Sequence, residues 1–372
     1  MDRREIERLL VAIRQARAAR ERTAIATVVR VRGSAYRREG TRMLVRRNGT
    51  YECALSGGCL EPSVAEAAVQ VITTGERVIV TYDLADDSLW GLGLGCSGAI
   101  DVRIERLDGD AMTRAWLEVL DRGEAAVLIS PLTGASGRML VRGRGGRDSV
   151  GHLGDAAVDR EAIDRARMRL SAAFPQSGVE RIGSGELFFE ISVPAPELVI
   201  FGAGPDAVPL ARHAWELGFS VTAVDARAAY LTAEWFPTAT RVPAHFTELA
   251  AKVPLRAGSF VVIMNHHVER DSETLRFALD SDAAYIGVLG PRSRYQKLLK
   301  GLTEKGYVAP DSSLSRVHNP VGLSIGAETP GEVAVSILGE ILAIRRGFEG
   351  GFLGDSSGSL HRPDDKRLLT SS

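Results

Sequence analysis

The fold of the second half of the chain is decided by the stretch VIFGAGPDA, residues 199–207. Its G-x-G-x-x-A pattern follows a short apolar run and precedes a helical pattern, which is the context of a dinucleotide-binding βαβ unit. The first glycine forms the turn, the second lets a phosphate approach the backbone, and the helix N-terminus favours an anion. We therefore predict that Gly202, Gly204 and Asp206 contact a phosphate-bearing ligand.

Three residues beyond this loop are predicted to lie at the same edge of the sheet. Asp225 ends the next apolar run, where an acid accepts a hydrogen bond from a ribose hydroxyl, and Arg227 leaves the choice between NAD and NADP open. His266 follows a third apolar run, and ligands of parallel sheets bind outside the carboxyl ends of the strands. The alternative is a domain that keeps its glycines for packing and binds no dinucleotide.

Apolar runs after residue 197 alternate with helical patterns, which predicts a parallel sheet with helices on both faces. The predicted strands are 198–201, 221–224, 260–264 and 285–289, and the predicted helices are 206–217, 271–279, 294–305 and 331–346. Two prolines, Pro194 and Pro196, indicate a linker before this region. We predict a Rossmann-like, doubly wound domain at 197–346 and a disordered tail at 347–372.

The first half, residues 1–192, mixes helical and strand patterns without a βαβ period. The patterns predict helices at 2–22, 63–74 and 111–121 and strands at 27–31, 43–45, 78–82, 99–105 and 125–130. The Gly- and Arg-rich segment 134–154 is predicted to be a surface hairpin and loop. The chain as a whole is therefore predicted to be α/β, with an N-terminal mixed α+β domain followed by the Rossmann-like domain.

The composition excludes several classes of protein. Lys and Arg number 46 against 47 Asp and Glu, a net charge of −1, so no basic excess directs the chain to nucleic acid or to an acidic membrane surface. No apolar run approaches the roughly 18 residues of a membrane span. Three cysteines are too few, and odd in number, for a disulfide framework, which indicates a reducing compartment. We predict a cytoplasmic protein that binds neither nucleic acid nor membrane.

The first glycine-flanked cysteine lies in SGGCLEP, residues 56–62. Because a helical pattern begins there, Cys59 is predicted at a helix N-terminus, where the helix dipole favours a reactive or metal-binding thiolate. Gly57 and Gly58 would let a ligand come close to it. The alternative is a small buried side chain that fills a gap in the core.

A second such motif is GLGLGCSG, residues 91–98, in which Gly95 precedes Cys96. Two glycine-flanked thiols in one domain favour a functional role, although the packing alternative applies here as well. Cys53 has no flanking glycines and is predicted to be structural. The chain lacks the C-x-x-C and H-E-x-x-H spacings typical of zinc sites.

A third motif, GSAYRREG at residues 33–40, combines a turn, a hydroxyl group and two guanidinium groups. Arginine side chains suit phosphate and other oxyanions, so Gly33, Ser34, Arg37 and Arg38 are candidate ligand contacts. The alternative is a solvated loop with a run of charges.

Taken in order, these motifs resemble the XdhC/CoxI family, the accessory proteins of xanthine dehydrogenase and related molybdenum hydroxylases. The resemblance extends to about residue 346. Its matching pieces are Gly33-Ser34 with Arg37, Gly40 and Met43; 56–59 with Glu61; 93–96 with Gly98; 199–204; Val224-Asp225 with Arg227; Phe236-Pro237; 287–290 with Arg292; and 320–323 with Ile325-Gly326 and Thr329-Pro330. Any one piece is weak, but their order is fairly specific.

This resemblance implies a chaperone that binds the molybdenum cofactor, a molybdopterin, and has no catalytic residue of its own. It would hold the cofactor during sulfuration by a cysteine desulfurase and pass it to a molybdenum hydroxylase such as xanthine dehydrogenase. Because molybdenum is thiophilic, Cys59 and Cys96 are its expected ligands, and Arg37, Arg38 or the helix after Gly204 would hold the phosphate. A homodimer is expected from the family and from the frequency of such assemblies.

Two functions of other classes stay open. An NAD(P)-dependent oxidoreductase would need a positioned acid or base, most often histidine, yet all seven histidines lie at residue 152 or beyond. A nucleotide-sensing partner protein would bind nucleotide without turnover. An oxidoreductase would be recognised by redox turnover of a substrate, and a nucleotide-sensing protein by nucleotide binding without turnover.

Overall fold

The computed structural model describes residues 1–33, 35–83, 98–133, 137–143, 148–172 and 174–355. The chain divides into two compact units, the first formed by Met1–Pro194 with the segment from Leu353 and the second by Ala195–Phe352. The boundary falls between the two prolines of the predicted linker. Each unit has its own sheet structure and its own apolar cores.

The first unit begins with an antiparallel five-stranded sheet. Its strands are β1 Thr23–Gly33, β2 Arg42–Arg46, β3 Tyr51–Glu52, β4 Val78–Asp83 and β5 Gly98–Arg106, in the spatial order β3-β2-β1-β5-β4. Helix α2, Glu61–Thr74, covers one face of this sheet with an apolar core. Helix α1, Arg3–Ala18, packs Leu9 and Ile13 against the other face, because successive strand residues point to opposite faces.

A second antiparallel five-stranded sheet completes the first unit. Its strands are β6 Ala126–Pro131, β7 Met139–Arg142, β8 Asp148–Gly151, β9 Gly178–Ile182 and β10 Gly185–Ser192, in the order β8-β7-β6-β10-β9. Helices α3, Ala111–Arg122, and α4, Ala156–Ser171, pack on its opposite faces. Val29 of β1 contacts Leu132 and Phe188, which joins the two sheets.

This second sheet departs from the sequence prediction. Within the predicted surface hairpin at 134–154, β7 and β8 pair antiparallel, but β7 is buried because its apolar residues pack into the cores on the two faces of the sheet. Helix α4 was not predicted because its buried stripe, Ala162, Ala166 and Leu170, is narrow and mostly alanine. Strands β9 and β10 were missed as well.

The second unit contains a parallel sheet of six strands. These are β11 Glu197–Phe201, β12 Ser220–Asp225, β13 Thr240–Pro243, β14 Phe260–Ile263, β15 Tyr285–Val288 and β16 Val317–His318, in the order β13-β12-β11-β14-β15-β16. The helices are α5 Ala207–Glu216, α6 Leu249–Lys252, α7 Val268–Leu279, α8 Arg292–Glu304, α9 Asp311–Leu314 and α10 Pro330–Arg346. Short 3-10 helices lie at Ala228–Tyr230, Phe246–Glu248 and Leu353–Asp355.

Separate apolar cores lie on the two faces of this parallel sheet. Helices α5 and α10 contribute to one core, and α7 and α8 contribute to the other. The predicted α/β class with a Rossmann-like domain is therefore confirmed. The edge strands β13 and β16 were not predicted because they are short and no residue in them is fully buried.

Residues 356–372 of the predicted disordered tail lie outside the described residues. The preceding part, 347–355, ends in a short 3-10 helix. Within the described ranges, no helix combines the length and apolar character that a membrane span requires.

Candidate functional site

Two motif-bearing loops and the flanks of a third motif segment connect to the first sheet at one edge. Strand β1 ends at Gly33, which pairs with Gly98 at the start of β5. Because neighbouring strands run antiparallel, the start of β2 and the ends of β3 and β4 lie at this edge too. The loop that leads into Thr41, the loop that begins at Cys53 and the two ends that flank segment 84–97 therefore all lie here. Ser34, Gly95 and Cys96 lie outside the described residues.

The Cys59 loop is organised by the fully buried Glu61. Its carboxylate accepts hydrogen bonds from the backbone N–H of Leu55 at 2.8 Å, the N–H of Ser56 at 2.7 Å and the Ser56 hydroxyl at 2.6 Å. The Ser56 Oγ accepts in turn from the N–H groups of Gly58 and Leu60. Burial acts to raise the pKa of Glu61, but these hydrogen bonds outweigh it and the pKa is lowered. An ionised carboxylate thus fixes the loop.

Cys59 is a free, half-buried thiol two residues before the start of α2. Its Sγ donates to the Ser56 Oγ at 3.3 Å, and its side chain also contacts the apolar core beneath α2. A Cβ atom placed on Gly57 or Gly58 would meet no atom within 4 Å, and Gly58 has a φ of 110° that favours glycine. The thiol therefore lies beside open space, as the glycines predict.

Cys53 occupies a different environment. Its Sγ donates to the backbone oxygen of Glu5 at 3.6 Å, and burial raises the pKa of its thiol. A protonated thiol anchored to α1 agrees with the structural role predicted for Cys53. Among the residues that the structure describes, no three His, Cys, Asp or Glu side chains are grouped so that they could hold a metal ion.

The two candidate arginines of the first loop differ in their contacts. Arg37 forms an ion pair with Glu5, with its Nη2 at 2.6 and 2.7 Å from the two carboxylate oxygens. This contact ties the loop to the first turn of α1. Arg38 lies 3.5 Å from Glu39, which is itself held by the N–H of Val31. Arg38 is thus the more weakly held of the two.

The glycine loop of the second unit connects β11 to α5. Gly202 has a φ of 110°, and a Cβ there would lie 2.4 Å from the Met264 backbone oxygen. A Cβ on Gly204 would lie 2.7 Å from the Asp206 Oδ1. Gly202 thus requires glycine both for its backbone conformation and for its close approach to another backbone segment, whereas at Gly204 the near atom is the end of the Asp206 side chain, which can move. The tight turn predicted from the sequence is present.

Asp225 holds this loop in place. Its buried carboxylate accepts from the Ala203 N–H at 2.9 Å and from the backbone N–H, Nε and Nη2 of Arg227 at 2.8, 3.0 and 2.8 Å. Burial opposes ionisation, but the hydrogen bonds from Arg227 and Ala203 prevail and lower the pKa of Asp225. Four N–H groups use the roughly four acceptor positions of a carboxylate. In this arrangement Asp225 stabilises the loop and offers no free oxygen to a ribose.

Asp206 and His266 form a pair at the carboxyl edge of the sheet. The His266 Nε2 lies 2.6 Å from the Asp206 Oδ2, and the histidine backbone adopts a left-handed φ of 58°. The pair bridges the glycine loop and the turn after β14. His267, the neighbour of His266, caps α7 and accepts from the Arg270 N–H at 3.5 Å.

Sequence reasoning missed the residues that support these loops. Asp271 is buried and accepts from Asn265 N–H at 3.1 Å and from Arg294 Nη2 at 2.5 Å, which fixes the turn that carries His266. From the sequence, Glu61 is recognisable only as part of the motif at 56–62, and nothing in the sequence indicates a role for Glu5. The available signal was an acid in the first turn of a helix, since such acids stabilise nearby N–H groups.

Known proteins match this chain across both units. One family model, described as the XdhC Rossmann domain, matches residues 198–341, and another, described as the XdhC and CoxI family, matches residues 16–83. A Bacillus subtilis protein named as a probable subunit of xanthine dehydrogenase is 32% identical over 332 residues, 88% of this chain and 94% of that protein. The chain belongs to the XdhC and CoxI family. The resemblance predicted from the motifs is confirmed.

Two further relatives support the assignment of this chain to the XdhC and CoxI family. A crystal structure described as a xanthine dehydrogenase from Bacillus halodurans superposes with a TM-score of 0.74 at 31% identity, and the match covers 96% of this chain and 99% of that one. An Escherichia coli protein named molybdenum cofactor insertion chaperone PaoD is 24% identical over 323 residues, 86% of this chain and 83% of that protein.

Proposed function

We propose that this chain binds the molybdenum cofactor, holds it for sulfuration by a cysteine desulfurase and delivers it to xanthine dehydrogenase or a related molybdenum hydroxylase. The names of the relatives, one for a component of xanthine dehydrogenase and one for a cofactor insertion chaperone, support a role in maturation. The observation that supports the proposal is the Cys59 thiol beside the open space at Gly57 and Gly58, in a loop that begins at the same edge of the sheet as the Gly33–Gly98 pair.

The proposed cargo site of the first unit comprises Gly33, Ser34, Arg37, Arg38, Gly57, Gly58, Cys59, Gly95 and Cys96. Cys59 and Cys96 supply thiolates, the soft ligands that suit molybdenum. Arg38 binds the cofactor phosphate, and Arg37 joins it by exchanging Glu5 for the phosphate. The glycines admit the flat cofactor because they present no side chain.

In the second unit, the proposed cofactor-binding loop comprises Gly202, Gly204, Asp206, Asp225, Arg227 and His266. The N-terminus of α5 provides N–H groups for a phosphate, and the Asp206–His266 pair lies beside it. Asp225 and Arg227 act by shaping the loop. NAD(P) is the alternative occupant of this loop.

The geometry favours a carrier over the two rival functions. An NAD(P)-dependent oxidoreductase needs a free acid for the ribose, whereas Asp225 already accepts four hydrogen bonds. A nucleotide-sensing partner would leave the Cys59 loop without a role. Substrate oxidation followed at the nicotinamide absorbance band would favour the first rival, and nucleotide binding without client activation the second.

Reconstitution tests the proposal. Purified chain loaded with molybdenum cofactor is mixed with apo-xanthine dehydrogenase and a cysteine desulfurase, and recovered hydroxylase activity is measured. We expect activation by the wild type, loss of most of it in Cys59→Ser, and wild-type activation by Cys53→Ser as the matched control. Equal activation by all three proteins would contradict the role of Cys59.

The proposed setting is the cytoplasm, and the proposed assembly is a homodimer. Two free thiols, Cys53 and Cys59, agree with a reducing compartment. Light scattering of the purified chain tests the second point, with a mass of twice 40.0 kDa expected.

A further inference from the structure

The first sheet is bounded on one side by the edge strand β4, which carries exposed apolar side chains. Val78 is 37% exposed and Ile79 is 39% exposed. Within the described part of the chain, β4 pairs with β5 alone, so the backbone N–H and C=O groups along its other side have no strand partner. Such an edge is a template for pairing with a further strand.

The other edge strands of the described sheets have features that oppose such pairing. Strands β3 and β16 contain two residues each. Strands β8 and β13 contain four, and they end in Gly151 and Pro243 respectively. Strand β9 carries the charged residues Glu180 and Arg181. Short length, proline and charge are the means by which proteins protect sheet edges. Strand β4 has six residues and no charge, proline or glycine before Asp83.

The helices that cover the first sheet lie over its other strands. Helix α2 packs chiefly on β5 and β1, and α1 packs on β2 and β3. Val78 and Ile79 point to opposite faces of the sheet, and both are exposed. Tyr82, by contrast, is buried against the core beneath α2 and fixes the strand in the sheet. The edge is therefore well anchored and accessible to a second strand.

The charges at the two ends of β4 are complementary in one antiparallel arrangement. Residues 77–83 read RVIVTYD, with an arginine at one end and an aspartate at the other. When a second copy of this chain pairs antiparallel about a twofold axis at Val80, Arg77 of each copy lies opposite Asp83 of the other. Directly opposite side chains share a face and interact, and the twofold axis forms the pair twice. An axis at Ile79 would place Asp83 opposite Gly75 and lose both pairs, so the charges specify the register.

The residues between these two ends suit the same arrangement. Val78 lies opposite Tyr82, which joins a β-branched side chain to an aromatic one. Ile79 lies opposite Thr81, which joins two β-branched side chains, and Val80 lies opposite its own copy on the axis. Pairs of these types stabilise antiparallel strands. The segment is thus complementary to a second copy of itself along its whole length.

Both charged side chains are able to take part. Arg77 and Asp83 are exposed. The Arg77 Nη1 donates to the Pro131 backbone oxygen at 3.4 Å, and a guanidinium has five N–H donors in all. Asp83 already has an interaction within its own copy, but a carboxylate has roughly four acceptor positions and can accept a further guanidinium.

We propose that β4 is the interface of a symmetric homodimer, in which the β4 strands of two copies pair antiparallel about Val80. The first sheets of the two copies, with five strands each, then form one continuous sheet. Alternate residue pairs of an antiparallel ladder exchange two bonds each, so residues 77–83 supply roughly six backbone hydrogen bonds. The inference rests on the homodimer proposed above, for which it names the surface, and on none of the proposed cofactor contacts.

Charge reversal at the two ends of β4 tests the proposal in the full-length chain. Sedimentation equilibrium gives the mass and the dissociation constant of the dimer. Arg77→Asp and Asp83→Arg each place like charges opposite one another at both ends, so we expect each variant alone to dimerise roughly tenfold more weakly than the wild type. The control Arg47→Asp, at the exposed turn between β2 and β3 on the far side of the sheet, should dimerise as the wild type does.

Mixing the two variants distinguishes a direct contact from a loss of structure. The Arg77→Asp copy presents two acids and the Asp83→Arg copy presents two arginines, so an equal mixture should form a heterodimer with about the affinity of the wild type. Ile79→Lys places a charge in the middle of the edge, and we expect a folded monomer, because lysine on an edge strand prevents pairing. Circular dichroism and thermal unfolding verify that each variant is folded.

The outcomes separate this interface from the rest of the account. A wild-type dimer that is unaffected by all three β4 substitutions, or a mixture that associates no more tightly than its separate components, would overturn the interface and leave the homodimer in place. A wild type that stays monomeric would overturn both the interface and the homodimer. Neither result bears on cofactor carriage, which is measured by the molybdenum and pterin content of the chain.

Discussion

At the residue scale, the loops are governed by buried carboxylates that accept backbone N–H groups. Glu61 does this for the Cys59 loop and Asp225 for the glycine loop. The cysteines and glycines were recognisable in the sequence because their types and spacing are unusual. The hydrogen bonds of Glu61 could not be recognised, because the sequence at a helix start is the same whether or not a loop folds over the acid. The Arg37 partner, Glu5, lies 32 residues away and depends on tertiary structure.

We expect Glu61→Gln to destabilise the first unit by about 2–3 kcal/mol at pH 7, because it weakens hydrogen bonds to a buried charge. The pKa of Glu61 is lowered in the folded state, so its contribution is present above the pKa of an unfolded Glu, about 4.3, and is lost as the pH falls through the lower folded value. The difference between wild type and variant in urea unfolding should therefore shrink on acidification below about pH 4.

The exposed Glu66→Gln on the same helix is the matched control and should leave stability within about 0.5 kcal/mol. A stability difference for Glu61→Gln that stays constant from pH 7 to pH 3 would show that the carboxylate does not hold the loop.

The same substitution should affect stability differently at two glycines. Gly202→Ala should destabilise the second unit by about 3 kcal/mol, because it combines a φ of 110° with a Cβ only 2.4 Å from a backbone oxygen. Gly57→Ala meets no atom within 4 Å and should change the stability of its unit by less than about 1 kcal/mol. Thermal unfolding of both variants decides this, and equal losses would contradict it.

At the scale of helices and strands, the elements with strong hydrophobic periodicity and glycine signals were predicted accurately, and those with weak signals were not. Strand β11 and helix α5 were predicted to within a residue or so because an apolar run, two glycines and a helical stripe stand in sequence. Helix α4 was missed because alanines line its buried face. The Gly- and Arg-rich composition of 134–154 predicts a surface hairpin, whereas the position of β7 beside β6 buries this strand.

One half-buried network connects α10 to the parallel sheet. The Tyr285 hydroxyl donates to Glu340 at 2.6 Å, the Gly322 N–H donates to the same carboxylate at 2.8 Å, and the His318 Nδ1 lies 3.2 Å from it. Tyr285→Phe removes one hydrogen bond to a half-buried charge and should cost about 1–2 kcal/mol.

Hydrogen exchange measured by mass spectrometry should show faster exchange in the segment 317–322 of Tyr285→Phe, while peptides of the first unit exchange as in the wild type. Faster exchange spread evenly over both units would contradict a local role for this network.

At the scale of the whole molecule, the two units are built as independent folding units. Both apolar cores of the parallel sheet consist entirely of residues between 198 and 344. We therefore expect a fragment of residues 195–352 to fold alone, with a cooperative thermal transition and dispersed amide NMR signals. Collapsed, non-cooperative behaviour of this fragment would show that its stability depends on the first unit.

The central claim is that this chain carries the molybdenum cofactor on Cys59. The most direct measurement is anaerobic purification from a host that makes the cofactor, followed by quantification of molybdenum and pterin per chain in the wild type, Cys59→Ser and Cys53→Ser. We expect near-stoichiometric amounts of both in the wild type and Cys53→Ser and a large loss in Cys59→Ser. Absence of both from the wild type, with a nicotinamide nucleotide released on denaturation, would contradict it.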